Sequence, residues 1–279
     1  MRIWSIGIYS GETPFSLHPV EGVCNPVLTH EHVTDFPASF VADPFMVERD
    51  GTWHMFFEVM HAVTRRGAIG LAVSSDLTTW VYQQIVLQEP FHLSYPYVFE
   101  WQGEYFMTPE TLGAGAVGLY RADPFPTRWV REGDLVQGVL ADPSPFRHRD
   151  GWWMFACGTP YRHDSLRLYF SRHLDHGWQE SQLSPLVSGN SRISRPAGRV
   201  TPWEEGVIRY AQDCYPTYGT QVRAFLLDDL ASGTHLEVEL SQQVLTPDAA
   251  LWTSSGMHHA DPHCIRTSLW MACVDGSQG

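Results

Sequence analysis

The stretch "VADPFMVERDGTWHMFFE", residues 41–58, carries the clearest signal of the fold. It joins an Asp-Pro pair to two short apolar runs, and the dipeptide Asp50-Gly51 separates those runs. An Asp-Gly pair between strand-forming residues is a strong signal of a β-hairpin. The stretch therefore predicts two antiparallel strands, with an acidic residue, Asp43, near the start of the first.

The same hairpin recurs along the chain at intervals of about fifty residues. Its turn and second strand reappear as "WQGEYFMTPE" (101–110), "RDGWWMFACG" (149–158) and, more weakly, "WEEGVIRYAQ" (203–212). Each copy follows an X-Pro element, and after the first three hairpins comes a third apolar run that ends on a Trp. A repeat of this length with about four strands per unit is typical of a β-propeller.

The two ends of the chain complete the last unit. The segment 258–276 supplies only two strands, whereas "SIGIYSGETPF" (5–15) and "PVLT" (26–29) parallel the third and fourth strands of the other repeats. We therefore predict an all-β fold, a single five-bladed β-propeller domain over residues 1–279. Its last blade is closed by strands from both termini, with residues 1–10 pairing near 264–274. Such closure leaves no open sheet edge, and an irregular β-sandwich would not repeat in this way.

Composition excludes several functions. The net charge of −13 argues against nucleic acid or an anionic membrane as the partner. All 18 cationic side chains are Arg, which excludes a lysine Schiff base and a P-loop lysine. The start does not resemble a signal peptide, and no run of about 18 apolar residues could span a bilayer. With five Cys and no CxxC pair, the sequence predicts a cytoplasmic protein with reduced thiols.

The X-Pro elements predict a functional site. In a propeller the first strand of each blade lines the channel, so residues near its start converge on one mouth. The residues at these positions, 52, 47, 53 and 66 residues apart, are Asp43, Tyr95, Asp142, Arg195 and Asp261. Any one Asp before Pro commonly caps a turn. Several charges around one funnel are costly to desolvate unless they are paired or used, so we expect a substrate site there.

The quoted motifs carry a resemblance. The "ADPF" blade resembles the five-bladed propeller glycosidase clan, which includes families 43 and 32. More specifically, "LSYPYVFEWQGEYFMTPE", "SRPAGRV", "RYAQDCYPTYGTQVRAF" and "GMHHADPH" are similar to a bacterial group. That group resembles the N-terminal domain of plant glucosamine inositolphosphorylceramide transferases, in which the propeller accompanies a separate glycosyltransferase domain.

The resemblance implies a carbohydrate-active protein that acts on a glycosidic bond by hydrolysis or transfer. It places Asp43 as base or nucleophile and Asp142 as a carboxylate that tunes acidity. Where the clan keeps its general acid, this chain has Arg195. We expect Glu110 to supply the proton from an apolar surround that raises its pKa, while nearby arginines keep Asp43 ionised. Asp213 and then Glu58 are the next candidates. The clan requires no cofactor but allows a structural channel calcium.

The remaining candidates would bind substrate. Arg195 and Arg199, with Arg209 from the next strand, predict an anion clamp for a phosphorylated or acidic sugar. The alternative is that Arg195 only pairs with Asp142 or Asp261. The other candidate residues for contacts with a sugar are Tyr95, Asp213, His259, Asp261 and His263. We assign no metal ligands, because the neighbouring histidines alternate in direction along a strand.

Two function classes follow from these residues. The first is a glycoside hydrolase-like or glycosyl-transferring enzyme, which the number of channel carboxylates favours. The second is a non-catalytic glycan-binding propeller that assists a partner glycosyltransferase, which the missing acid on the fourth blade favours. The expected partner is a carbohydrate or sugar phosphate in both cases.

Overall fold

The computed structural model describes residues 2–228, 230 and 237–279. Within these residues the only helices are two 3-10 turns, His30–His32 and Leu112–Ala114, and no helix is long and apolar enough to cross a membrane. All other regular structure in the described residues is β-strand. In chain order the strands are β1 (Ile3–Thr13), β2 (Ser16–Pro19), β3 (Ala38–Arg49), β4 (Thr52–His61), β5 (Gly67–Ser74), β6 (Val81–Leu87), β7 (Ser94–Trp101), β8 (Glu104–Glu110), β9 (Ala116–Ala122), β10 (Trp129–Gln137), β11 (Ala141–His148), β12 (Gly151–Cys157), β13 (Ser165–Ser171), β14 (Gln179–Glu180), β15 (Val187–Ser188), β16 (Arg195–Pro196), β17 (Thr201–Trp203), β18 (Gly206–Asp213), β19 (Gln221–Leu227), β20 (Glu237–Leu245), β21 (Ala260–Arg266) and β22 (Leu269–Gln278).

These strands form five antiparallel sheets, the blades of a propeller. Blade I is β3–β6, blade II is β7–β10, and blade III is β11–β14 with β15 beside β13. Blade IV is β16 and β17 on β18, followed by β19 and β20, and blade V has the order β21-β22-β1-β2. The five-bladed, all-β prediction is confirmed.

Ring closure joins the two ends of the chain. Strand β1 pairs antiparallel with β22 over their length, from Ile3 opposite Gln278 to Gly11 opposite Trp270. The predicted pairing of the termini is therefore confirmed. The fourth strand of blade V differs from expectation. Strand β2, which follows β1 through a tight turn, pairs with the outer edge of β1. The segment "PVLT" contributes only an isolated bridge, Leu28 opposite Ile6, further along the same edge.

The turns behave as the sequence signals indicate. Asp50 and Gly51 have φ of 53° and 77°, and Gln102 and Gly103 have φ of 55° and 83°. Two successive positive φ angles match the twist of a tight hairpin. The interior is aromatic, and Trp129 of blade II packs edge-on against Phe56 of blade I at 5.2 Å between ring centroids. Trp129, which ends the third run of blade II, thus packs between two blades.

Candidate functional site

Three blades begin their innermost strand with the same backbone distortion. Asp43, Tyr95 and Asp142 have φ of 51°, 47° and 51°, in the left-handed region. The pairing with the second strand shifts register at each position, so each is a β-bulge. A bulge re-aims its side chain, and a non-glycine residue held at positive φ costs about 1–3 kcal/mol. The surroundings must therefore hold these residues in place.

Carboxylates from the preceding blades hold them. The amide N–H of Asp43 donates to Asp275 Oδ2 at 3.0 Å, and that of Tyr95 donates to Asp43 Oδ2 at 3.2 Å. The amide N–H of Asp142 donates to Glu110 Oε2 at 3.2 Å. The structure thus brings together around one mouth of the channel most of the residues that the X-Pro elements predicted.

Arg195 occupies the fourth-blade position and is almost fully buried. Its Nε donates to Asp142 Oδ2 at 2.6 Å, and Nη2 lies 3.2 Å from both Asp142 Oδ1 and Glu110 Oε2. Nη1 donates to the Pro160 carbonyl and lies beside His163 Nδ1, both at 3.1 Å. All five N–H groups of the guanidinium have partners within the protein.

The structure therefore does not support Arg195 as part of the expected anion clamp, and Arg209 is paired with Glu237. Arg195 has no free donor for a phosphate or sugar carboxylate, so a ligand would have to break its bonds to Asp142 and Glu110. The alternative, an ion pair between Arg195 and Asp142, is what the structure contains.

Asp142 is held from three sides and is fully buried. Besides Arg195, the Gln212 Nε2 amide donates to its Oδ2 at 3.0 Å. Burial, opposed by the Arg195 charge and reinforced by that of Glu110, raises the pKa of Asp142 to about 7. Asp142 can therefore change protonation near neutral pH.

The surroundings of Glu110 differ from the prediction. We expected an apolar environment from the preceding "YFMTP", whereas its Oε2 accepts from the Arg195 guanidinium and the Asp142 amide. Glu110 thus belongs to the same ion network as Asp142. The sequence did not reveal this contact because Glu110 and Arg195 lie 85 residues apart in the chain.

Asp43 also differs from the prediction, since no arginine is its main partner. Its Oδ2 accepts the Tyr95 N–H, whereas Oδ1 makes no hydrogen bond to any described residue and lies 3.6 Å from His258 Nε2. Burial raises the pKa of Asp43 to about 7, with His258 opposing and Asp275 reinforcing that effect. We expected an ionised Asp43, but the pocket instead makes its proton exchangeable near neutral pH.

His258 links Asp43 to Asp275. Its Nδ1 lies 2.7 Å from Asp275 Oδ1, and its ring stacks on Trp4 with centroids 3.9 Å apart. Burial alone would depress the pKa of His258, but the Asp275 carboxylate outweighs burial and the pKa is raised. Burial likewise works against ionised Asp275, yet His258 lowers its pKa. The two residues form a buried ion pair behind Asp43.

Glu58 lies near the end of the second strand of blade I and is a buried channel acid with few partners among the described residues. Its Oε1 is buried and makes no hydrogen bond to any described residue. Burial, reinforced by the charges of Asp43 and Glu110, raises the pKa of Glu58 well above its usual value. His92 Nε2 lies 3.5 Å from that oxygen. Because His92 Nδ1 accepts the Gly67 N–H, a neutral His92 carries its proton on the nitrogen that faces Glu58.

His259 is the second histidine beside Asp43. It is fully buried, with Nδ1 3.9 Å from Asp43 Oδ1, and neither ring nitrogen forms a hydrogen bond of normal geometry with a described residue. Burial lowers its pKa to about 4, and its ring packs edge-on against Phe45. His259 is therefore a neutral group beside the free oxygen of Asp43.

Asp261 lies in a second layer, further along the innermost strands. It pairs with Arg199 Nε, and its Oδ2 accepts from the Met46 N–H at 2.6 Å and lies 3.0 Å from His263 Nε2. Burial opposes its ionisation, but Arg199 and His263 hold the pKa of Asp261 well below its usual range. The prediction that Asp261 and His263 converge on the site of Asp43 is wrong, because the fifth blade places them in this separate layer.

Tyr95 separates the two layers. Its hydroxyl accepts the Gly198 N–H at 2.7 Å, donates to the Gly198 carbonyl at 3.0 Å and contacts Ser144 Oγ at 2.9 Å. The side chain is fully buried, so it offers neither ring nor hydroxyl to a sugar. Tyr95 therefore braces blades II, III and IV across the channel.

Asp213 faces away from the acidic cluster. Its Oδ2 accepts from Arg192 Nη1 at 3.1 Å and lies 3.5 Å from Arg223 Nη1. Its neighbour on β18, Gln212, is the residue that reaches Asp142. Because side chains alternate along a strand, only one of these two neighbours can face the channel. Gln212 faces it, whereas the sequence analysis had selected Asp213.

The repeat pattern contains a signal for Asp275, which the sequence analysis did not identify as a site residue. Aligning the fifth turn, "RTSLWMACVD" (266–275), with the other repeats puts Asp275 in register with Glu58, Glu110 and Gln212. Ser268 has φ of 59°, as the glycine alignment requires. The end of every second strand except that of blade III therefore supplies a polar group to the mouth of the channel.

Among the described residues, one cluster in the channel offers ligand atoms for a cation. Asp43, His258 and Asp275 offer ligand atoms within 4.8 Å of one another. Asp275 already accepts hydrogen bonds from the Asp43 and His258 amides. Asp43 Oδ1 and His258 Nε2 are therefore the atoms still available as metal ligands. Calcium takes six to eight oxygens, so this donor set does not fit the calcium that the clan allows.

The ring and the carboxylates around its channel define a glycoside hydrolase-like β-propeller. Solved structures share the fold: a putative glycoside hydrolase from Parabacteroides distasonis aligns with a TM-score of 0.70 at 12% identity, over 95% of this chain and 98% of that one. The family 117 glycoside hydrolase Zg3597 from Zobellia galactanivorans aligns with a TM-score of 0.60 at 14% identity, over 88% of each chain.

The chain belongs to the family described as "Glucosamine inositolphosphorylceramide transferase 1, N-terminal", whose model matches residues 2–277. Glucosamine inositolphosphorylceramide transferase 1 of Oryza sativa subsp. japonica is 33% identical over 298 residues, covering 99% of this chain. The alignment covers 40% of the rice protein, so the chain spans less than half the length of that relative. The resemblance found in the motifs is confirmed.

Proposed function

We propose that this propeller is a carbohydrate-active enzyme that acts on a glycosidic bond, by hydrolysis or transfer, at the Asp43 mouth of its channel. The observation that carries the proposal is the free Oδ1 of Asp43, which faces His258 and His259 and belongs to a carboxyl group with a pKa of about 7. Such a group can take or give a proton at neutral pH, as general acid–base catalysis requires.

Glu58 is the second reacting carboxyl group in this proposal. Glycoside cleavage by the two-carboxylate route needs a protonated acid and an ionised partner. Glu58 holds its proton because burial raises its pKa, and its Oε1 has no competing hydrogen bond among the described residues. It would protonate the leaving oxygen while Asp43, once ionised, activates water or an acceptor hydroxyl.

The remaining charged groups would orient these two. The Arg195 network fixes Asp142 and Glu110. We assign Glu110 a positioning role rather than the proton-transfer role first predicted, and Asp142 keeps its expected role of tuning acidity. His258 is held by Asp275 and can steady the ionised form of Asp43. The site side chains are nearly buried, with Asp43 5% exposed, so a substrate must reach them through the narrow mouth.

The test is a screen of aryl glycosides and glycosyl donors, followed by variants on any hit. Asp43→Asn should lower kcat by about a hundredfold or more, because acid–base groups contribute about 10²–10⁴. Glu58→Gln should do the same, whereas Glu110→Gln should act mainly through stability. Asp134→Asn, at an exposed carboxylate paired with Arg131, is the matched control. Full activity in Asp43→Asn would refute the assignment.

The second candidate is a non-catalytic glycan-binding module that assists a glycosyltransferase. It is favoured by Arg195, which stands where the clan keeps its acid and ties up two carboxylates. The family name, taken from whole transferases, also supports a role beside such a domain. Saturable glycan binding without turnover, retained in Asp43→Asn, would select this candidate.

We also propose a cytoplasmic location. All five cysteines are unpaired, and Cys24 and Cys264 are exposed. Free exposed thiols persist in a reducing compartment. Fractionation of the native host, with antibody detection, would test this proposal.

A further inference from the structure

A second cavity lies at the opposite mouth of the channel. It has a volume of about 260 Å³ and is bounded by the lower ends of the innermost strands of blades II, III and IV. Tyr97, Trp101 and Trp152 form aromatic walls, and Arg147 and Arg199 supply two guanidinium groups. The layer of Tyr95, Arg199 and Asp261 separates this cavity from Asp43.

The Arg199 guanidinium is held by several hydrogen bonds, but not all of its N–H groups take part in them. Its Nε is paired with Asp261, and its Nη2 donates to the carbonyls of Met46 at 3.2 Å and Val98 at 2.9 Å. No hydrogen bond joins Nη1 to any residue that the structure describes. The side chain keeps 15% of its surface exposed and lines the cavity. Arg199 thus differs from Arg195, whose donors are all occupied.

Arg147 is the second cation and is positioned by stacking. Its guanidinium carbon lies 4.8 Å from the ring centroid of Trp101 and 5.8 Å from that of Trp152. Nη2 reaches the Arg149 carbonyl at 3.4 Å, and the side chain is otherwise exposed. A guanidinium held against indole rings loses little further freedom when it binds an anion.

We propose that this cavity binds a small anionic sugar, with its phosphate or carboxylate between Arg147 and Arg199 and its ring against the aromatic walls. The cavity is close to the lower end of the size range of ligand sites, which suits one sugar ring. Two guanidiniums match the geometry of phosphate and carboxylate groups. Glu100 is the one acidic side chain among the residues that line the cavity, and its carboxylate accepts the Gly103 N–H in a turn.

The test measures ligand-induced shifts in Tm at constant ionic strength with inorganic phosphate, glucose 1-phosphate and glucuronate. A bound ligand raises Tm by mass action. Glucose 1-phosphate, glucuronate or both should give a saturable rise, and the two arms distinguish a phosphate from a carboxylate ligand. Galactose, which has no charge, should give none. Inorganic phosphate binding as tightly as glucose 1-phosphate would overturn the sugar part of the proposal.

Variants locate the binding. Arg147→Gln should weaken it at least tenfold without disturbing the buried network. Arg199→Gln combined with Asp261→Asn should abolish it and leaves no buried carboxylate unpaired. Arg66→Gln, between β4 and β5 at the other mouth, and Asp43→Asn should bind normally, which separates this site from the proposed active site. Equal binding in wild type and Arg147→Gln, or no saturable shift with any probe, would overturn the proposal.

Discussion

Arg195 holds both carboxylate oxygens of Asp142, with Nε 2.6 Å from Oδ2 and Nη2 3.2 Å from Oδ1. The pair joins blade III to blade IV, and Glu110 adds blade II. Neither Arg195 nor Asp142 is accessible enough to exchange its partner for water. The fourth-blade arginine is therefore a structural cation of the channel, and its removal should be felt as lost stability.

Arg195→Met should lower the free energy of unfolding by about 3–5 kcal/mol, because it leaves buried carboxylates without a counter-ion. Adding Asp142→Asn and Glu110→Gln to it should recover part of that loss. Arg167→Met is the control, since Arg167 and Glu180 form an exposed pair whose loss should cost about 1 kcal/mol or less. Urea denaturation measures all of these variants. A single variant as stable as wild type would contradict the role given to Arg195.

The raised pKa of Asp43 predicts a pH-dependent effect of Asp43→Asn. A carboxyl whose folded pKa is about 7 binds its proton more tightly in the folded than in the unfolded protein, so ionising it costs stability as the pH rises from about 4 to 7. Asparagine does not ionise. The Tm of Asp43→Asn relative to wild type should therefore rise between pH 4.5 and pH 8, by several degrees at most.

The same comparison needs a control for the histidines. Burial lowers the pKa of His259 to about 4, so its contribution is lost as the pH falls from its unfolded value near 6.5 toward 4. This trend opposes that of Asp43. His259 is present in both proteins, so only the part of its titration that depends on the Asp43 charge remains in the difference. A difference in Tm that stays constant with pH would show that Asp43 does not carry the raised pKa.

Gly198→Ala should destabilise the channel. Gly198 has φ of 126°, a Cβ there would lie 1.8 Å from the Ala260 carbonyl oxygen, and its amide donates to the Tyr95 hydroxyl. Gly103 has φ of 83° and nothing within 4 Å of an added Cβ, so Gly103→Ala isolates the cost of positive φ at about 1 kcal/mol. We expect a drop in Tm several times larger for Gly198→Ala. Equal decreases in Tm for Gly198→Ala and Gly103→Ala would show that the contact between Gly198 and Ala260 can relax.

Closure of the ring by β1 should contribute strongly to stability. Ile6 is fully buried on β1, whereas Ile3 on the same strand is 39% exposed. Ile6→Ala should cost about 2–5 kcal/mol, as expected for a cavity in a packed core, and Ile3→Ala far less. Deleting residues 1–10 should leave β22 and β2 unpaired and abolish a cooperative melt. Calorimetry would test all three, and a cooperatively melting deletion variant would contradict ring closure.

The blade count, the closure by both termini and the approximate place of the channel could all be predicted from the amino-acid sequence. Hairpin turns and alternating apolar runs are local features of the sequence, and they recur in each repeat. Aligning the repeats therefore reveals the common pattern despite irregularities in single copies. Asp43, Asp142 and Arg195 were found because they occupy equivalent positions in that repeat. Extending the same alignment to Ser268 would also have found Asp275.

Which of these charges neutralise one another depends on the packing of the blades, and the repeat pattern does not reveal it. Arg195 and Glu110 lie 85 residues apart and on different blades, and their contact depends on how the blades pack around the axis. The same packing put Asp261 in a lower layer with Arg199, turned Asp213 away from the channel, and left Asp43 Oδ1 and Glu58 Oε1 without partners among the described residues. Protonation follows from burial and neighbouring charge, which a repeat pattern does not encode.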